Sequence, residues 1–84
     1  MTREEIDRFV LETVADAAAV EASSLRQSTA LLETFMDSLT LVAIVARIEA
    51  TYGTPFDADE LAEVLRAHRV GDIAAIVARK CNAT

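Results

Sequence analysis

The sequence predicts an all-α protein, a small four-helix bundle with one long connection between its first and second helices. Three observations predict it. Ala, Leu, Glu and Arg make up 39 of the 84 residues, and all are good helix formers. The two Gly and one Pro are too few for the tight turns of an all-β fold. Apolar residues recur at helical spacing in four segments, and short polar residues stand where helices would begin. Eighty-four residues, 52% of them hydrophobic, make a single domain over residues 1–84 with a modest core.

The first helix, α1, is expected over residues 3–19. Thr2-Arg3-Glu4-Glu5 reads as a capping box, and Ile6, Phe9, Val10, Thr13, Val14 and Ala17 supply one apolar face. Residues 20–37 have no sustained helical period. Ser23, Ser24, Gln27, Ser28 and Thr29 make them polar, and Val20, Leu25, Leu31 and Leu32 punctuate them. A loop this long in a small domain is functional or pinned by its own side chains, and these apolar residues predict pinning across one end of the bundle.

The second helix, α2, is expected over 38–52, closed by Gly53 with Pro55 shortly after. Leu41, Ile44, Val45, Ile48 and Tyr52 form its bulky core face, with Val42 at the edge. The opposite face holds Leu39, Thr40, Ala43, Ala46, Arg47 and Ala50. An exposed surface of small, mostly uncharged residues is a plausible docking site for another protein.

Asp57-Ala58-Asp59-Glu60 reads as the cap of α3, expected over 58–66 with Leu61, Val64 and Leu65 inward and Phe56 buried in the loop before it. A turn over 67–71 leads to α4, expected over 72–80, which Asp72 opens. Ile73, Ile76 and Val77 point inward, and Arg79 and Lys80 complement the dipole of the last turn.

The net charge of −6 is uneven: twelve acids face four bases in residues 1–60, and two acids face four bases in 61–84. An acidic domain has no electrostatic route to nucleic acid. It is steered instead towards basic patches on other proteins. Cys81 is the only cysteine, which excludes an internal disulfide and a cysteine metal cluster. Glu4, Glu5 and Asp7 stand where a signal peptide needs an apolar core, and no run approaches the ~20 apolar residues of a membrane span. A soluble cytoplasmic protein without membrane contact is expected.

A self-contained catalytic site is hard to assemble. His68 is the only histidine, in a turn where a surface role is expected, and Gly53 and Gly71 are isolated rather than part of a phosphate loop. What remains is the stretch Phe35-Met36-Asp37-Ser38-Leu39-Thr40-Leu41, at the head of the most apolar helix. Asp37 and Ser38 are both good N-cap residues, which is the plain reading. The sharper one is a phosphate-linked group on the Ser38 hydroxyl, beside helix amides and a dipole that favour an anion.

With these residues in view, the sequence resembles the acyl and peptidyl carrier proteins over nearly its whole length. Asp37-Ser38-Leu39 is similar to the family's attachment motif. Leu41 to Tyr52 resembles its second helix, and Tyr52-Gly53-Thr54-Pro55-Phe56-Asp57 its loop into the third. Val70-Gly71-Asp72-Ile73 resembles the opening of its fourth. The resemblance implies a bundle of acyl-carrier-protein type with covalent 4′-phosphopantetheine on Ser38, installed from coenzyme A by a phosphopantetheinyl transferase. It implies a freestanding, monomeric, non-catalytic carrier of an acyl or aminoacyl thioester, served by a loading enzyme and by downstream acyl-accepting enzymes.

Two departures bear on the partner. Thr34-Phe35 stand where the family often has Leu-Gly, and Phe35 lacks glycine's backbone freedom. Fatty-acid carriers usually show an acidic recognition helix, whereas Glu49 is the only acid of α2. A dedicated partner is expected to read Asp37, Leu39, Thr40, Ala43, Ala46 and Arg47 by shape and small apolar contacts, in a specialised pathway. Arg69 also replaces a Thr common before Val-Gly-Asp. The rival reading is an unmodified helical protein-interaction domain of the same fold. In it Asp37-Ser38 is only a cap, and Ser38→Ala costs about 1 kcal/mol with function intact.

Overall fold

The computed structural model describes residues 2–31 and 37–81; Leu32, Thr34 and Phe35 lie outside them, so the expectations placed on those residues are not addressed. Among the described residues there are four α-helices, α1 (Arg3–Ala18), α2 (Ser38–Tyr52), α3 (Ala58–Leu65) and α4 (Val70–Lys80). A short 3-10 turn, Ala22–Ser24, interrupts the first connection. None of these helices is long and apolar enough to cross a membrane.

The α1 helix packs against α4 and α2, and α3 bridges α2 and α4. Ile6, Val10 and Val14 meet Leu41, Ile44, Val45 and Ile48 of α2 and Val70, Ile73, Ala74 and Val77 of α4 in one buried cluster, which Val64 of α3 joins. The bulky face expected of α2 is therefore its core face. On α1 the expected stripe ends one turn early: Ala17 is exposed and Ala15 is buried. Helix α1 stops at Ala18 because Ala19 turns left-handed (φ 57°), and the Val20 amide closes back on the Ala15 carbonyl at 3.0 Å.

Caps follow the sequence closely. The Thr2 hydroxyl accepts from the Glu5 amide, and Asp57 and Glu60 exchange both bonds of a capping box. Gly53 closes α2 at φ 65°, and Glu49 reaches over to accept the Phe56 amide at 2.6 Å. Phe56 is half-buried rather than buried. Lys80 stacks 5.5 Å above its ring and pairs with Glu60 at 2.6 Å, tying the end of α4 to the start of α3. Helix α3 ends at Leu65, one residue short of expectation, and Leu65 is 43% exposed rather than inward.

The largest correction concerns α4, which begins at Val70 and not at residue 72. The first amides of a helix have no partner within it. Here the long connection supplies them: Val70 donates to the Thr29 carbonyl at 3.1 Å and Gly71 to the Gln27 carbonyl at 2.8 Å. In return the His68 carbonyl accepts from the Leu31 amide at 2.8 Å, and Ala30 and Arg69 form an antiparallel bridge. The connection is thus pinned as expected, by Leu25 and Leu31, which are buried, and by this backbone seam; Val20 is exposed.

Asp72 stands inside the first turn rather than ahead of it, and its Oδ2 accepts from the His68 and Arg69 amides at 3.0 Å each. Those bonds, the His68 amide first and then the Arg69 amide, hold its carboxyl below the usual carboxylate range. A lowered folded-state value stabilises the fold above the unfolded value, about 3.9, and the contribution is lost as pH falls through the folded value. Asp72→Asn is therefore expected to lower the urea midpoint at pH 7, with the gap to the parent closing below about pH 4. An equal gap at pH 7 and pH 2.5 would show that the carboxylate charge contributes nothing.

Candidate functional site

Helix α2 starts at Ser38 because Asp37 is extended and its side chain turns forward. Its Oδ1 accepts from the Thr40 amide at 2.8 Å, and its carbonyl accepts the Leu41 amide at 3.0 Å. The Thr40 amide, then the Thr40 hydroxyl and the Leu39 amide, hold the Asp37 carboxyl below its ordinary range, with burial only partly opposing. Two residues could have capped this helix, and Asp37 does so. Ser38 occupies the first helical position, exposed, and its hydroxyl makes no hydrogen bond among the described residues.

Beside Ser38 lies an open cleft of about 370 Å³, lined by Ala30, Leu31, Ser38, Leu41, Leu65, Ala67 and His68. Ser38 and His68 are the two polar residues among those that line it. Four chain segments contribute to it: Ala30 and Leu31 of the long connection, the first turn of α2, the last turn of α3 and the turn before α4.

The expected docking residues divide into two groups. Leu39 (80% exposed), Ala43 and Ala46 lie open on the outer face of α2, and Val42, expected at the core edge, is 43% exposed beside them. The other three have work within the fold. Asp37 and Thr40 form the cap, and Arg47 reaches Asp16 of α1 at 3.0 Å. That pair is half-exposed and contributes little to stability.

The residues at Ser38 suit a phosphate-linked group: an exposed hydroxyl, a helix N-terminus that favours an anion, and space alongside. The model of the phosphopantetheine attachment site family matches residues 8–78. The chain belongs to this phosphopantetheine-binding family, that of the acyl and peptidyl carrier proteins. No curated protein matches the sequence.

Family members carry 4′-phosphopantetheine covalently and are generally non-catalytic. They interact with phosphopantetheinyl transferases and with other partner enzymes. The four-helix architecture is of the acyl-carrier-protein type. Within this carrier fold, Leu65, Ala67 and His68 line the cleft although sequence reasoning did not bring them to the site. They stand nearly thirty residues from Ser38, and only the return of the chain through α3 brings them beside it. The sequence carried no signal for them, because Leu61, Val64 and Leu65 fall on one helical face and read as core.

Proposed function

We propose that this chain tethers an acyl or aminoacyl group through 4′-phosphopantetheine on Ser38 and presents it to partner enzymes in a specialised pathway. The observation that carries the reading is the division of labour at the head of α2: Asp37 makes the cap, and among the described residues the exposed Ser38 hydroxyl has no hydrogen-bond partner. A hydroxyl needed only for folding would be spent on the helix. When bound, the group supplies a terminal thiol on a flexible arm, on which cargo is held as a thioester.

The chain's own residues set the anchor. Ser38 offers its oxygen at the surface, where the active site of a transferase can reach it. The amide end of α2 favours the anionic linkage, and the Asp37 cap holds that end in register. The test is intact mass after incubation with coenzyme A and a broad-specificity phosphopantetheinyl transferase. One added arm supports the reading, and an unchanged mass in folded protein sinks it.

The loading enzyme, on this reading, docks on the open face of Leu39, Ala43 and Ala46. Ala43→Glu is expected to slow cargo loading about tenfold, the scale of losing about 1.4 kcal/mol at an interface. Its circular dichroism should match the parent, because residue 43 is exposed. Unimpaired loading would move the contact to α3 or to the long connection.

A further inference from the structure

The cleft beside Ser38 contains one group whose purpose the fold does not explain. Among the described residues that line it, only His68 can carry a positive charge. Its backbone is held on both sides, the amide by Asp72 Oδ2 at 3.0 Å and the carbonyl by the Leu31 amide at 2.8 Å. The residue itself is exposed, so neither burial nor core packing accounts for it. A rigid backbone with an exposed imidazole is a pre-organised contact for something entering the cleft.

The surrounding charge says what that something is. The chain is acidic overall, and Asp37, next to Ser38, is held in its ionised form by helix amides. The only cation of α2 is Arg47, nine residues along, roughly 13 Å of helix away and paired with Asp16. An anion joined to Ser38 therefore has the dipole of α2 at its point of attachment, and His68 is the one residue lining the same cleft that can carry a positive charge. The walls formed by Leu31, Leu41 and Leu65 suit the branched apolar segment that follows the phosphate in pantetheine.

Resting on the Ser38 reading, we propose that His68 is a positioning residue for the phosphopantetheine arm. Its imidazole hydrogen-bonds the phosphate-proximal part of the arm and holds it against the cleft. A protonated imidazole donates the stronger, charge-assisted hydrogen bond, so seating is expected to depend on pH. The charged groups on the elements around it are Asp72 of α4, Asp37 at the head of α2, and Arg66 and Arg69 on either side in the chain.

His68 is the only histidine, so a chain without a histidine tag has a single imidazole signal. The experiment records that signal and the phosphorus resonance of the loaded protein by nuclear magnetic resonance between about pH 5 and 8. A phosphodiester does not titrate in this range, so any movement of its resonance reports a neighbouring group. We expect the imidazole signal to change on loading and the phosphorus resonance to follow the same titration. In His68→Gln the phosphorus resonance should become independent of pH while the added mass stays the same. Matching imidazole signals before and after loading, with a phosphorus resonance that never moves, would overturn the role of His68 and leave the attachment reading standing. Failure to add mass would overturn both.

Discussion

Ser38→Ala is expected to abolish addition of the phosphopantetheine arm completely while leaving the fold unchanged. The hydroxyl is the only oxygen the side chain offers, and Ala offers none. The structural cost is small because Asp37, not Ser38, accepts the Thr40 amide that caps α2. Ala is also the better helix former at an exposed position. The urea midpoint should therefore shift by no more than about 0.5 kcal/mol equivalent. A reading in which Ser38 serves only as a cap demands the opposite pair of results, a loss of about 1 kcal/mol and intact function. Intact mass and urea unfolding of the same sample separate the two. Arm addition in the alanine variant would point to another nucleophile, with the Thr40 hydroxyl the first to test.

Gly71→Val is expected to be the most damaging substitution at any glycine, costing about 2–4 kcal/mol from overpacking and the loss of a seam hydrogen bond. A Cβ at residue 71 would lie 3.0 Å from the Gln27 carbonyl oxygen and 3.4 Å from the Gln27 Cβ. The closest contact is backbone, so it cannot swing aside. It is also the oxygen that accepts the Gly71 amide at 2.8 Å, so any relief of the clash stretches that bond. The better helix propensity of Val recovers only a few tenths of a kcal/mol. In a chain of 84 residues, such a loss is a large share of total stability.

Gly53 is a useful contrast. Nothing lies within 4 Å of a Cβ there, but its φ of 65° favours glycine. Gly53→Ala should cost only about 1 kcal/mol. Urea midpoints of the two variants test the difference. A neutral Gly71→Val would mean that the seam between the long connection and α4 yields freely. Because Leu31 and His68 belong to both the seam and the cleft, damage at Gly71 should also disturb the wall beside Ser38.

Local interactions explain what could be read without coordinates. A cap is made between residues three apart, so Thr2, Asp37 and Asp57 announced three helix starts. A helical face repeats within a few turns, so the buried side of α2 and the open side with Leu39, Ala43 and Ala46 followed from spacing. The stretch Asp37-Ser38-Leu39 is contiguous, and it stands at the helix start that its own residues dictate.

Other features depend on partners distant in the chain, and there the same reasoning failed. Helix α4 starts two residues early because carbonyls of residues 27 and 29, some forty residues upstream, accept its first amides. Arg47 looked like part of an open surface, but Asp16 of another helix engages it. Leu65 looked like core, but the short α3 turns it towards the cleft.

The sequence by itself determined the helices, their inward faces and the serine at the head of α2, because each rests on contacts a turn or less apart. Only the tertiary structure decided which of Asp37 and Ser38 caps that helix, and that His68 lines the same cleft as Ser38. The first choice depends on a side-chain orientation that two equally suitable residues leave open. The second depends on the packing of α2, α3 and the long connection, which brings together residues that no local rule relates.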